Sequence, residues 1–292
     1  MLWISIVIAL LALIIGSITD LKKREIHDYV SYGLIFSGFA IGIVYSIIYW
    51  EYNYIMQTAM GFMLGLGIAY AMFYLGQWGG GDSKLIMGLG TILGFNIFEI
   101  FGKTNLSFII LLINIIFVGA IYGLIWSIYL AIKNRKQFMK SLRFWSEKPN
   151  ISLARRIILG LTVIIAILTI FVIPPELKLV SLGLLATLFV VFYMWMFVKI
   201  IEESCMIKKV PVSKLTEGDW IHKDIFIGKK YIAGPKDLGI SREQIAILKK
   251  YNTNEKISEV TVKEGIPFIP VFLIAFILTI IMQGMNIPAI LL

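Results

Sequence analysis

Long apolar stretches separated by short charged clusters set the pattern of this chain. Residues 1–19, 29–50, 52–81, 104–132, 157–175 and 265–292 contain no Asp, Glu, Lys or Arg; 179–198 form another such run and 85–98 a shorter one. A helix needs about 20 apolar residues to cross the hydrocarbon core. The pattern therefore predicts an all-α polytopic membrane protein with about eight transmembrane helices. The 85–98 run joins this set if Lys84 and Glu99 extend into the two headgroup layers. Between 199 and 264 the pattern changes. Alternating stretches such as Trp220–Ile227 read as strands, with Gly228 and Gly234 at turns. Ser241 followed by Gln244 is a capping-box signature that opens a helix through about Lys250. This segment is expected to be a small mixed α/β cytoplasmic domain, and Gly265-Ile266-Pro267 then starts the last helix.

Five parts follow: a membrane core over 1–132, a basic cytoplasmic loop over 133–156, a transmembrane hairpin over 157–198, a soluble domain over 199–264, and a C-terminal transmembrane helix over 265–292. The loop carries Phe138, Phe144 and Trp145 and is expected to lie along the interface; the hairpin turns at Pro174-Pro175-Glu176. Gly61, Gly65 and Gly67 form a small-residue surface suited to close helix packing. Composition agrees with a membrane protein. The chain is 59% hydrophobic and 15% charged, against about 25% charged in soluble domains. The first run lacks a basic leader and a small-residue cleavage site, so it reads as a retained helix and not a signal peptide. Cys205 is the single cysteine. It excludes an intramolecular disulfide and a multi-cysteine zinc site, and reads as structural in preference to palmitoylated.

Charge gives an orientation. If the helices alternate direction, Lys22, Lys23, Arg24, Lys84 and all the basic residues of 133–156 and 199–263 share one side. The other side holds only Lys103 and Lys178. The positive-inside rule makes the basic side cytoplasmic and the N-terminus external, even with the long 199–263 segment set aside. The net charge of +9 then matches anionic lipid beside basic loops and calls for no nucleic acid.

This orientation places two carboxylates at one membrane face. Asp20 ends the first apolar run, and Asp82 follows Gly79-Gly80-Gly81. Two carboxyl groups converging on one water can hydrolyse a peptide bond without a metal or a covalent intermediate: one takes the water's proton, the other donates to the carbonyl and the leaving amine. Like charges at close range share a proton. Asp82, ahead of a helix that it can cap, is expected to be the base, and Asp20, behind a helix, the acid in the resting pair. Read singly, Asp82 is an ordinary helix cap and Asp20 an interface carboxylate paired with Arg24. The glycine run and the matched depth favour the joint reading. The three glycines allow close backbone approach, so an extended substrate could pair along Gly79, Gly80 and Gly81. His27 and His222 lie outside the membrane runs, so no histidine-based or metal-binding set appears, and no cofactor is expected.

At these residues the sequence resembles the GxGD aspartyl proteases, and more narrowly the archaeal type IV prepilin and preflagellin (prearchaellin) peptidases. Thr19-Asp20-Leu21-Lys22-Lys23-Arg24-Glu25-Ile26, with Asp28 beyond it, is similar to the family's first-aspartate segment. Gly79-Gly80-Gly81-Asp82-Ser83-Lys84 matches GxGDxK around the second. The Lys263–Pro270 stretch resembles the C-terminal region of archaeal members. The 157–198 hairpin exceeds the six-helix core of that family, and Cys205 alone does not supply the zinc-binding insertion of methylating bacterial relatives. The resemblance implies a GxGD peptidase core over 1–132 that cuts class III signal peptides, short basic leaders ahead of a hydrophobic helix, from pilin-like or flagellin precursors at the cytoplasmic membrane face. Asp20 and Asp82 would then be catalytic. Glu25 and Asp28 are candidates to attract the basic leader, and Lys84 to support Asp82 or anchor its helix. A presenilin-like or signal-peptide-peptidase-like protease is the nearest alternative; it is disfavoured because Asp20 ends the first run and does not sit inside a later one. A proton- or cation-coupled transporter is a further alternative, which would need acids nearer the midplane.

Overall fold

The structure, a computed structural model, describes residues 3–96, 107–252 and 258–284. Glu99, used above to extend the 85–98 run, and Lys103, used to orient the chain, lie outside the described residues. The chain is mostly helical. Helices α1 (Trp3–Lys23), α2 (Asp28–Tyr49), α3 (Asn53–Tyr74), α4 (Gly80–Leu93) and α5 (Ser107–Lys133) are followed by α6 (Arg135–Glu147), α7 (Pro149–Phe171) and α8 (Pro175–Cys205). Then come β1 (Ile207–Pro211), β2 (Trp220–Ile221), β3 (Ile225–Ile227), β4 (Lys230–Ala233), α9 (Arg242–Asn252), β5 (Glu259–Lys263) and α10 (Ile269–Gly284). Among the described residues six helices are long and apolar enough to cross a membrane: α1, α2, α3, α5, α7 and α8. Helix α4 has 14 residues and α10 has 16 described ones. At 1.5 Å per residue α4 covers about 21 Å, short of a core about 30 Å thick.

Two boundaries differ from the sequence expectation, each for a local reason. Helix α4 starts at Gly80, before the 85–98 run, because Gly79 is extended (φ −72°, ψ 167°) and serves as its N-cap. Helix α10 starts at Ile269 and leaves Pro267 outside it, with Pro270 in the first turn where its missing N–H costs nothing. The segment 133–156 is also more ordered than a loop, since α6 fills most of it and α7 already contains Arg155 and Arg156.

The chain divides into two compact units. The first contains the described residues of Met1–Leu124, Val212–Ser258 and Gly265–Leu292. Its core is built from Leu13, Leu34, Leu85, Ile86, Leu89, Phe108, Leu111, Phe272 and Phe276. Missing side chains let the helices approach. A Cβ on Gly61 would run into the Gly90 carbonyl oxygen, and one on Gly65 would lie 2.9 Å from the Ile86 carbonyl oxygen, so α3 packs on α4 backbone to backbone. Gly67 faces open space and takes no part. On α2, Gly38 meets Thr91 of α4 and Gly42 meets Thr58 of α3. Asn114 of α5 donates to Thr279 Oγ1 of α10 at 2.9 Å inside this core.

The strand-bearing part of this unit buries Val212, Leu215, Ile221, Ile232, Ala233, Ile240, Ile245 and Leu248. Strands β3 and β4 form an antiparallel hairpin around Gly228 at φ 62°. The capping box forms as read: Gln244 N–H donates to Ser241 Oγ at 3.2 Å, and Ser241 N–H to Gln244 Oε1 at 2.8 Å.

The second unit holds Ile125–Pro211 and Glu259–Glu264. Trp145, Ile151 and Ile200 form its buried centre, with Phe138, Leu142, Phe192 and Met196 packed on it. Trp145 Nε1–H donates to Glu203 at 2.7 Å. Strands β1 and β5 pair antiparallel, Ile207 opposite Lys263. Glu202 takes both Lys199 (3.0 Å) and Lys263 (2.5 Å). The outer faces of α7 and α8 leave Phe171 and Leu179 each 80% exposed, apolar surface that a lipid environment would cover.

Candidate active site

Asp20 lies in the last turn of α1 and is buried, 7% exposed. Its Oδ2 accepts the N–H of Ile269 at 3.0 Å, and the Phe268 N–H also points to the carboxylate. Asp20 therefore caps the first turn of α10 from 249 residues away. One turn on, Arg24 adopts a left-handed conformation (φ 60°) that ends α1, its N–H returning to the Asp20 carbonyl at 2.9 Å. The Arg24 guanidinium donates to the Gly265 carbonyl at 2.7 Å. Two hydrogen bonds thus join the end of α1 to the segment that leads into α10. Gly16 supports this by letting Ile269 close to 3.2 Å from where its Cβ would stand.

Asp82 is half-buried and sits inside α4, at the third helical position and not ahead of the helix as the sequence suggested. Its Oδ2 accepts the Gly79 N–H at 3.2 Å, the return half of a capping box whose N-cap is a glycine. Asp20 is near enough for its charge to bear on Asp82. A helix N-terminus faces Asp20 as well as Asp82, so local helix ends alone do not set the two acids apart.

The two motif segments touch at two further places. A Cβ on Gly81 would lie 3.0 Å from Ile26 Cδ1, whereas Gly79 and Gly80 have room. Lys84 Nζ reaches Asp28 Oδ1 at 2.5 Å and lies 5.1 Å from the Tyr32 ring centroid. Asp28 is thus engaged by Lys84, and Lys84 points to Asp28. Glu25 is half-buried on the turn between α1 and α2. Sequence reasoning missed the Phe268–Ile269 backbone, the Arg24 tie and Tyr122, whose phenol interacts electrostatically with Asp20 and Arg24. The one signal for the first two was the similarity noted at Lys263–Pro270. Among the described residues no group of three or more His, Cys, Asp or Glu side chains is placed to hold a metal ion.

Residues 7–124, which contain both aspartates and every contact between the two motifs, match the model of the type IV leader peptidase family. Three archaeal relatives agree with the match. A preflagellin peptidase of Methanocaldococcus jannaschii is 40% identical over 90 residues, 31% of this chain and 38% of the relative. One from Methanococcus maripaludis is 29% identical over 54% of this chain and 74% of the relative. One from Methanococcus voltae is 31% identical over 47% of this chain and 60% of the relative. The chain thus spans well under two thirds of the first of these relatives. No solved structure matches it. In this matched region α1 and α4 carry the acids, and α2 and α3 pack on α4.

Proposed function

We propose that this protein is a membrane aspartyl endopeptidase that removes short basic class III signal peptides from preflagellin or type IV prepilin-like precursors at the cytoplasmic membrane face. The observation that carries the reading is the pairing of Asp20 and Asp82. They come from separate helices of the family-matched region, and the charge of Asp20 reaches Asp82. In the proposed step a water held between the carboxyl groups attacks the scissile carbonyl. The ionised aspartate takes the water's proton, and the protonated one donates to the carbonyl oxygen. The tetrahedral diol then collapses: the amine leaves with the pair's proton, and a diol hydroxyl gives its proton back to the pair as the carboxyl C=O re-forms, which restores one shared proton.

The six long helices together with α4 and α10 are taken as eight spans, with the N-terminus outside and the basic segments cytoplasmic. A precursor helix crossing the bilayer would then present its leader junction at the depth of the two acids. Gly79 and Gly80, where an added Cβ would meet only ordinary contacts with Asp82 (3.7 Å) and Phe73 (4.0 Å), are the proposed docking edge for the extended cleavage segment. Glu25, and Asp28 once exchanged from Lys84, are proposed to meet the basic leader. Lys84 is assigned to hold the α2–α4 junction. The bilayer and membrane-anchored precursors are the proposed partners. The test is to add membranes containing this protein to a tagged flagellin-type precursor and sequence the product's N-terminus. The reading predicts one cut between basic leader and hydrophobic helix; an intact precursor, or a cut within the hydrophobic helix, refutes it.

A further inference from the structure

The soluble domain touches the approach to Asp82. Helix α3 is joined to α4 by a turn whose path is fixed by three returning N–H groups: Gly76 to Phe73 (2.9 Å), Gln77 to Met72 (2.9 Å) and Trp78 to Met72 (3.2 Å). Gly76 has φ 66°, a conformation that side chains disfavour. The indole edge of Trp220 lies over it: a Cβ on Gly76 would stand 3.1 Å from Trp220 Cη2 and 3.6 Å from Cζ3. On the inner side Trp78 is buried, its ring 5.5 Å from Phe272 and 6.4 Å from Phe268 between centroids. The next residue, Gly79, donates to Asp82. The turn is therefore held between an indole from the soluble domain and the aromatic residues at the start of α10.

Trp220 is itself held firmly. Its neighbour Ile221 is 4% exposed in the domain core. Gly218 N–H donates to Ile240 and Ile240 N–H to Asp219, each at 2.9 Å. Gly239, at φ 100°, leaves no room for a side chain against Gly218. By contrast, the segment it presses on contains Gly76, Gly79, Gly80 and Gly81 within six residues. Glycine-rich backbone loses more conformational freedom on ordering than any other, and an acid at its end is placed no better than the segment is.

From this geometry we infer that Trp220 is a positioning residue. It braces the Gly76 turn from the soluble domain, and so sets the placement of the Gly79–Asp82 loop for hydrolysis. This rests on the peptidase reading for its consequence but not for the contact. Trp220 touches neither acid, so its loss should lower turnover and leave substrate binding nearly unchanged. The expected result for Trp220→Ala in the full-length protein is a fall in kcat of about tenfold, with KM within about twofold, given that misplacing a reacting group by about 1 Å can cost about 100-fold. Trp220→Phe, which keeps a ring over Gly76, should recover most of the rate. Lys229→Ala, in the exposed β3–β4 turn, should match the native protein.

A second readout needs no activity. Amide hydrogen exchange across Leu75–Asp82 should speed up in Trp220→Ala, while exchange in Arg242–Tyr251 stays native. Should Trp220→Ala loosen Arg242–Tyr251 as well, Trp220→Leu serves instead. It keeps an apolar side chain at the domain edge, takes the flat ring off Gly76, and should again speed exchange over Leu75–Asp82. Unchanged exchange there in both variants overturns the brace, as does a rise in KM with kcat intact, which would make Trp220 a substrate-docking residue. If the native protein cuts no precursor, the peptidase reading fails alone, and hydrogen exchange still judges the brace.

Discussion

Replacing Gly61 by alanine should disturb both the stability and the activity of this protein, and the structure gives the scale. A Cβ at Gly61 would press into the Gly90 carbonyl oxygen, with the Gly94 Cα at 2.9 Å and the Gly90 carbonyl carbon at 3.0 Å. None of these atoms is the end of a flexible side chain, so α3 and α4 must separate. Restoring ordinary carbon contacts takes about 0.5 Å, and the oxygen needs more; overpacking of this kind costs about 1–3 kcal/mol. Alanine's better helix propensity offsets up to about 1 kcal/mol of this. The net loss expected is therefore about 1–2 kcal/mol. Because α4 carries Asp82 in its first turn, a shift of that size also moves a proposed catalytic group and should cut processing by about tenfold or more. Gly67→Ala is the internal control: nothing lies within 4 Å of its Cβ position, so it should gain stability and process normally. Thermal unfolding of the purified protein and precursor-processing rates, measured on both variants, test the argument. Native stability and native processing in Gly61→Ala would refute it.

Other expectations concern single contacts. Thr279→Val removes the hydroxyl that accepts from buried Asn114 and should lower stability by about 1–3 kcal/mol, read by thermal unfolding. Ser241→Ala deletes the α9 cap and should cost about 1 kcal/mol locally, seen as faster amide exchange in α9 alone. The Lys84–Asp28 pair is partly exposed, 33% and 63%, so Lys84→Met should change stability by less than about 1 kcal/mol. Reversing Glu25 and Asp28 together to lysine should raise KM for basic leaders; unchanged kinetics would remove both from recognition.

The features legible in the sequence were those that depend on neighbours along the chain. Uninterrupted apolar runs located the long helices, Ser241 and Gln244 located the α9 cap, and Gly61 and Gly65 marked a close helix contact. Gly67, with the same signature, faces open space; sequence spacing cannot tell which side of α3 meets α4. The two aspartates stood out because a carboxylate bordering hydrocarbon is costly. Hidden from the sequence was whatever joins distant segments. Asp20 reads as the end of α1, yet its carboxylate caps α10. The start of α10 was misplaced at Pro267 because the acceptor that fixes it at Ile269 comes from the other end of the chain. Asp82 was read as preceding a helix, whereas the glycine run lets α4 begin at Gly80 and takes Asp82 inside it.

The central claim is that Asp20 and Asp82 act as one catalytic pair, and single-residue replacement tests it most directly. Asp20→Asn, Asp82→Asn and the two alanine variants should each reach the membrane at native levels, and each should leave a tagged class III precursor uncut. Complete processing by any one of the four would contradict the account.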